Sequence, residues 1–91
     1  MEIQEMYLEV TFHRGSPLVA YLYLLRRSGE KSVRTRRAEP GLVIDFNQKG
    51  QPMGIEILEP AKVTLPGINR VLRELGLRPL KKTDLAPLQA A

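Results

Sequence analysis

Two carboxylates, Asp45 and Glu56, stand in neighbouring segments whose apolar residues alternate: Leu42, Ile44 and Phe46 in the first, Met53, Ile55 and Ile57 in the second. Alternation at period two marks a strand with one buried face. If the segments pair as a hairpin, both acids lie on the face opposite the apolar row. They are then diagonal to one another, within reach of a shared proton, cation or arginine. Two acids with no third partner also suit solvated outward positions, or ion pairs with Arg34 or Arg36. Gly54 falls opposite Asp45 and leaves a side-chain gap beside it. Such a gap admits a ligand, a water or another backbone, and equally accommodates a β-bulge or a tyrosine ring from the second strand.

A second group with binding chemistry is basic: Arg26, Arg27, Lys31, Arg34, Arg36 and Arg37. Arg34, Arg36 and Arg37 could contact a polyanion, with Tyr21 and Tyr23 stacking on bases if exposed. The same tyrosines alternate with Leu22 and Leu24, which favours packing in a core or interface. The same arginines discourage edge-to-edge aggregation of a strand, a structural reason for their presence.

Other chemistries are excluded early. The 91 residues contain no cysteine and one histidine, His13, so disulfides, thiolate zinc sites, thiol nucleophiles and multi-histidine metal sites are absent. His13 sits in a turn-forming stretch beside Arg14 and is expected to be exposed. No catalytic set is recognisable and no cofactor is expected. The net charge of +4 favours weak attraction to polyanions but is no dedicated basic tail. The longest apolar run, residues 18–25, is strand-sized, so no membrane span is expected, and the acidic start Met1-Glu2-Ile3-Gln4-Glu5 lacks the form of a signal peptide. A cytoplasmic location is the expectation.

These residues need elements to hold them. Met6, Leu8, Val10 and Phe12 alternate with Tyr7, Glu9 and Thr11 and predict a first strand with one wet face. Residues 18–25 are apolar on both faces and predict an interior second strand. After a turn at residues 26–30, residues 31–38 predict a charged edge strand. The hairpin follows, and its register rests on parity. A two-residue loop at Lys49-Gly50 pairs Phe46 with Met53, Ile44 with Ile55 and Leu42 with Ile57. A four-residue loop from Asn47 keeps that match, whereas a three-residue loop slips the faces. An even loop is therefore expected, the shorter one preferred.

Beyond Pro60 the period changes. Leu65, Ile68, Val71, Leu72 and Leu75 share one helical stripe, with Thr64 as N-cap, Pro66 in the first turn and Gly76 at C′. Residues 79–91 lose periodicity and predict a loosely ordered tail. The whole reads as one α+β domain over residues 1–78, an antiparallel β-meander of four to five strands with one C-terminal helix on one face. One helix covers one face only. Val19, Tyr21, Tyr23 and Leu25 therefore look for a second cover, which a homodimer would supply.

At Val19-Ala20-Tyr21-Leu22-Tyr23-Leu24, Val43-Ile44-Asp45-Phe46-Asn47-Gln48-Lys49-Gly50 and Gly54-Ile55-Glu56-Ile57-Leu58, the sequence resembles the small bacterial and archaeal proteins grouped as domain of unknown function family 2283. That family's pattern is a Leu-Tyr-Ile strand, a variable strand, and an Asp-x-Asp-x-x-Gly turn leading into Gly-Ile-Glu-Ile-Leu. Phe12-His13 and Ala20 stand where that family usually has a Tyr-Asp pair and an Asp. Asn47 replaces the second Asp of the turn, and Glu59-Pro60-Ala61 the usual Ala-Ser. The resemblance implies a compact β-meander with a helix, and an acidic site that is incomplete at Ala20 and Asn47. It also implies a setting beside other small proteins, including toxins. The combined reading is a non-enzymatic, homodimeric interaction module, an accessory or antitoxin-like partner of another small protein. Its rivals are a nucleic-acid-binding regulator using the arginine-rich strand, and a small hydrolase using Asp45 and Glu56.

Overall fold

A computed structural model describes residues 6–24 and 31–88. Strands β1 (Tyr7–His13), β2 (Ser16–Tyr23), β3 (Arg34–Glu39), β4 (Leu42–Phe46) and β5 (Pro52–Ile57) precede a 3-10 turn at Pro60–Lys62, helix α1 (Leu65–Glu74) and a 3-10 segment at Lys82–Leu88. All neighbouring strands are antiparallel, in the order β1-β2-β5-β4-β3. The expected α+β class thus stands with five strands. The chain makes a β1-β2 hairpin and a β3-β4-β5 meander, joined where β5 pairs with β2. This puts β5 in the middle and the arginine-bearing β3 at an edge, opposite β1.

Register explains the core. Ile44, Ile55, Leu22 and Leu8 form one row across four strands, and Leu42, Ile57, Ala20 and Val10 form the next. On β2, β4 and β5 these residues are fully buried, joined by Leu24 and Phe46. Helix α1 closes this face with Ile68, Val71 and Leu72, as its stripe requires. Thr64 caps it by accepting from the Gly67 amide at 3.1 Å. At the other end the Gly76 and Leu77 amides donate to the carbonyls of Arg73 and Leu72, with Gly76 at φ +76°. That Schellman closure is what a glycine at C′ allows. Arg70 on α1 pairs with Glu39 on β3 at 3.1 Å and ties the helix to the sheet edge.

The hairpin loop differs from the expectation of an even length. The Asn47 amide donates to the Gln51 carbonyl at 2.9 Å and the Gly50 amide to the Asn47 carbonyl at 3.0 Å, so the loop holds three residues, 48–50. Such loops place their last residue at positive φ, which Gly50 does at +80°. A two-residue loop would have forced that conformation on Lys49. The one-residue slip is cancelled at once by a bulge: Phe46 pairs with Pro52, Met53 is the extra residue, and Asp45 pairs with Gly54. From there inward Ile44 meets Ile55 and Leu42 meets Ile57, as parity requires.

The C-terminal stretch also departs from expectation. Far from a loose tail after residue 78, Lys82–Leu88 packs Leu85 and Leu88 into the core, with 1% and 3% of their surface exposed. Asn69 of α1 holds its approach, donating to the Leu80 carbonyl at 3.1 Å and accepting from the Leu80 amide at 2.7 Å. Asp84 accepts from the Lys81 amide at 2.7 Å and caps the segment. Its two buried leucines are three residues apart, the 3-10 repeat, which a search for the 3.6-residue period passes over. The expected turn at residues 26–30, and the last three residues of the expected tail, lie outside the described residues.

Candidate functional site

The face of the sheet away from α1 is built from two cross-strand rows. One runs Thr35, Asp45, Gly54, Tyr23, Tyr7 from β3 to β1, and the other Arg37, Val43, Glu56, Tyr21, Glu9. Because register places Tyr23, and not Tyr21, directly beside Gly54, Tyr21 must lean diagonally to use the space there. It does: a Cβ placed on Gly54 would overlap the Tyr21 ring. The gap left by Gly54 is thus filled from within the chain, by a tyrosine ring of the second strand.

Leaning across β5 brings the Tyr21 hydroxyl to β4, where it donates to Asp45 Oδ2 at 2.8 Å. Tyr23 stacks on Tyr7 with ring centres 4.7 Å apart and planes 14° from parallel, and meets Tyr21 edge to face, also at 4.7 Å. Both arrangements suit aromatic quadrupoles. The Tyr23 hydroxyl donates to Glu9 Oε1 at 3.3 Å. Three rings and two carboxylates therefore form one connected cluster, and Glu56 lies in the same row as Tyr21. Burial, then the Asp45 hydrogen bond and the charges of the nearby acids, push the Tyr21 phenol well above its ordinary ionisation range. A phenol that holds its proton so firmly is a poor general acid or base near neutrality. Carboxylate oxygens beside fixed ring faces are instead suited to bind a cationic, hydrogen-bonding group.

Asp45, Gly54 and Glu56 do come together on this face, as do Val19, Tyr21 and Tyr23, all of them partly or fully sheltered. Leu25 lies outside the described residues. The second cover expected for the tyrosines is supplied in part by the tyrosines themselves, with Tyr7 and Gly54. Tyr7 and Glu9 were not singled out from sequence, although their alternation with Leu8 and Val10 places them on the outward face of β1.

Arg34, Arg36 and Arg37 do not form one patch, and Arg26 and Arg27 lie outside the described residues. Arg34 pairs with Phe46 and Arg36 with Ile44, so both side chains stand on the helix side. There the Arg34 guanidinium lies 4.6 Å and that of Arg36 5.9 Å from the Phe46 ring centre, shielding the core edge by cation–π contact. Arg37 pairs with Val43 and falls on the opposite face. Ion pairs from Arg34 or Arg36 to Asp45 or Glu56 are accordingly ruled out, since the sheet separates them.

The two positions flagged as incomplete have structural occupations. Ala20 is buried in the core row beside Ile57. Asn47 is buried at the loop, where its Oδ1 accepts from the Lys49 and Gln51 amides at 3.0 and 2.8 Å and its Nδ2 donates to Gln51 Oε1 at 2.9 Å. Cavities of about 260 and 180 Å³ lie elsewhere, one between Leu8, Leu22, Leu80 and Pro87, the other between Glu39, Leu42, Thr64 and Ile68. Neither is lined by Asp45, Gly54 or Glu56.

Fold and site together define a small α+β domain with a helix on one sheet face and a tyrosine-carboxylate cluster on the other. Residues 19–59, from within β2 past the end of β5, match the model of the family described as Protein of unknown function (DUF2283). The match includes Tyr21, Tyr23, Asp45, Gly54 and Glu56, and excludes β1 and α1. Neither a curated protein nor a solved structure matches the chain. No helix among the described residues is long and apolar enough to cross a membrane.

Proposed function

We propose that this chain is a non-enzymatic protein-interaction module whose outer sheet face receives a basic segment of a small partner protein. The observation that carries the reading is the Tyr21 hydroxyl bonded to Asp45 across Gly54, which fixes an aromatic and acidic surface before any partner arrives. Helix α1 packs on the opposite side of the sheet. Among the described strand residues of this face, Arg37 is the single Lys or Arg, against the carboxylates of Glu9, Asp45 and Glu56. An arginine or lysine finds ring faces and acceptors together there. Such a surface fits the accessory, antitoxin-like role that the family resemblance implies.

The test is a titration of the isotope-labelled protein with a short Arg- and Lys-rich peptide, followed by amide shifts, against a Glu-rich control. Shifts centred on Tyr7, Tyr21, Tyr23, Asp45 and Glu56, lost in Asp45→Asn/Glu56→Gln and kept in Arg34→Glu/Arg36→Glu, support the reading. A protein silent to the basic peptide, or one whose shifts map to β3 on adding duplex DNA, overturns it. The second outcome would favour the nucleic-acid regulator.

A further inference from the structure

The two edges of the sheet differ in a way the outer face does not explain. Edge β3 carries Arg34, Arg36 and Arg37, with Lys31 just before it, so pairing it with another β3 would set like charges against each other. Edge β1 has none of these guards. Its seven residues, Tyr-Leu-Glu-Val-Thr-Phe-His, include no Lys, Arg or Pro. Among the described residues β1 pairs with β2 alone, so its other side has no neighbouring strand there. Phe12, on this open strand, leaves 50% of its surface exposed.

We propose that β1 is a docking edge for β1 of a second copy, antiparallel about a twofold axis through Val10, giving one continuous ten-stranded sheet. The side chains choose this register. An axis perpendicular to the sheet keeps each core face on its own side, so only registers that pair residues of equal parity are allowed. An axis at Glu9 sets two carboxylates directly opposite each other. An axis at Val10 instead pairs the whole strand: Leu8 of each copy faces Phe12 of the other, Glu9 faces Thr11 and Tyr7 faces His13. Apolar meets apolar on the helix side, which covers Phe12, and no like charges are opposed. The free edges that remain are both β3, whose arginines stop growth at two copies. The outer faces of both copies then lie on one side of the joined sheet. This goes beyond the proposed partner binding, because it concerns an edge and not the face.

Light scattering and cross-linking test it. The wild-type chain is expected to show twice its 10.3 kDa mass at micromolar concentration. Phe12→Lys is expected to reduce this to the single mass without loss of secondary structure. Because the chain has no cysteine, an introduced thiol reports its own position. Thr11→Cys is expected to be joined by a short bis-maleimide, and Thr35→Cys, on the β3 edge, is expected to stay single. A monomeric wild-type chain, or linkage through Thr35→Cys in place of Thr11→Cys, overturns the proposal. Should Phe12→Lys fail to fold, the thiol comparison decides alone. Failure of the basic peptide to bind would leave these outcomes unchanged.

Discussion

Tyr21 on β2 and Asp45 on β4 are bonded at 2.8 Å although β5 lies between them. A side chain that skips a strand needs the skipped residue to have no Cβ, and Gly54 meets that need. The hydroxyl, the carboxylate and the glycine are thus one device spanning three strands.

Removing the hydroxyl while keeping the ring isolates the bond. Tyr21→Phe is expected to lower stability by about 1–2 kcal/mol in urea denaturation, the lower part of the range for hydrogen bonds to charged groups because the pair is partly exposed. The bond also sets a pH dependence. In the unfolded chain the phenol ionises near pH ~10, whereas in the folded chain it resists ionisation beyond that. Its stabilising contribution is complete below pH ~10 and is lost as pH rises further through the raised folded value. Wild-type stability is therefore expected to fall in strong alkali more steeply than that of Tyr21→Phe.

Gly54→Ala is expected to cost about 1–3 kcal/mol, the range for overpacking, because its methyl group meets the Tyr21 ring. In a Tyr21→Ala background the same change should be close to neutral. Urea denaturation of the four chains gives the coupling, and simple additivity would show that the ring and the glycine are independent.

At the loop, Asn47→Ala removes acceptors for two amides and is expected to cost about 1–3 kcal/mol. Asn47→Asp keeps both acceptors and exchanges the donor to Gln51 for a carboxylate oxygen, so its cost should be the smaller of the two. Thermal or urea unfolding of the pair separates the two contributions.

Leu85 lies in the stretch without helical periodicity, yet Leu85→Ala is expected to destabilise by about 2–5 kcal/mol, like other buried leucines. Leu58, exposed just past the end of β5, serves as the contrast. Leu58→Ala should fall within about 1 kcal/mol by the same denaturation measurement.

Where two strands each repeat at period two, sequence carries the structure far. Ile44 with Ile55, Leu42 with Ile57 and Asp45 with Gly54 follow from alternation alone. Phe46 does not, because a loop and a bulge next to it shift the count twice and leave no trace further along. The orientation of Arg34 and Arg36 was equally hidden. β3 has no apolar alternation, and only its pairing with β4 decides which arginines meet Phe46. Tyr21 over Gly54 was one of several ways to fill the gap, and the diagonal register selected it. The 3-10 segment escaped because two leucines at spacing three are too few to set a period.

All three tyrosines of the chain, Tyr7, Tyr21 and Tyr23, stand in the outer cluster, and the sequence has no tryptophan. Near-ultraviolet absorbance, dichroism and emission from this protein therefore arise almost wholly at the candidate binding face. The molecule carries its own optical reporter, silent about the helix side and sensitive to whatever lands on the rings.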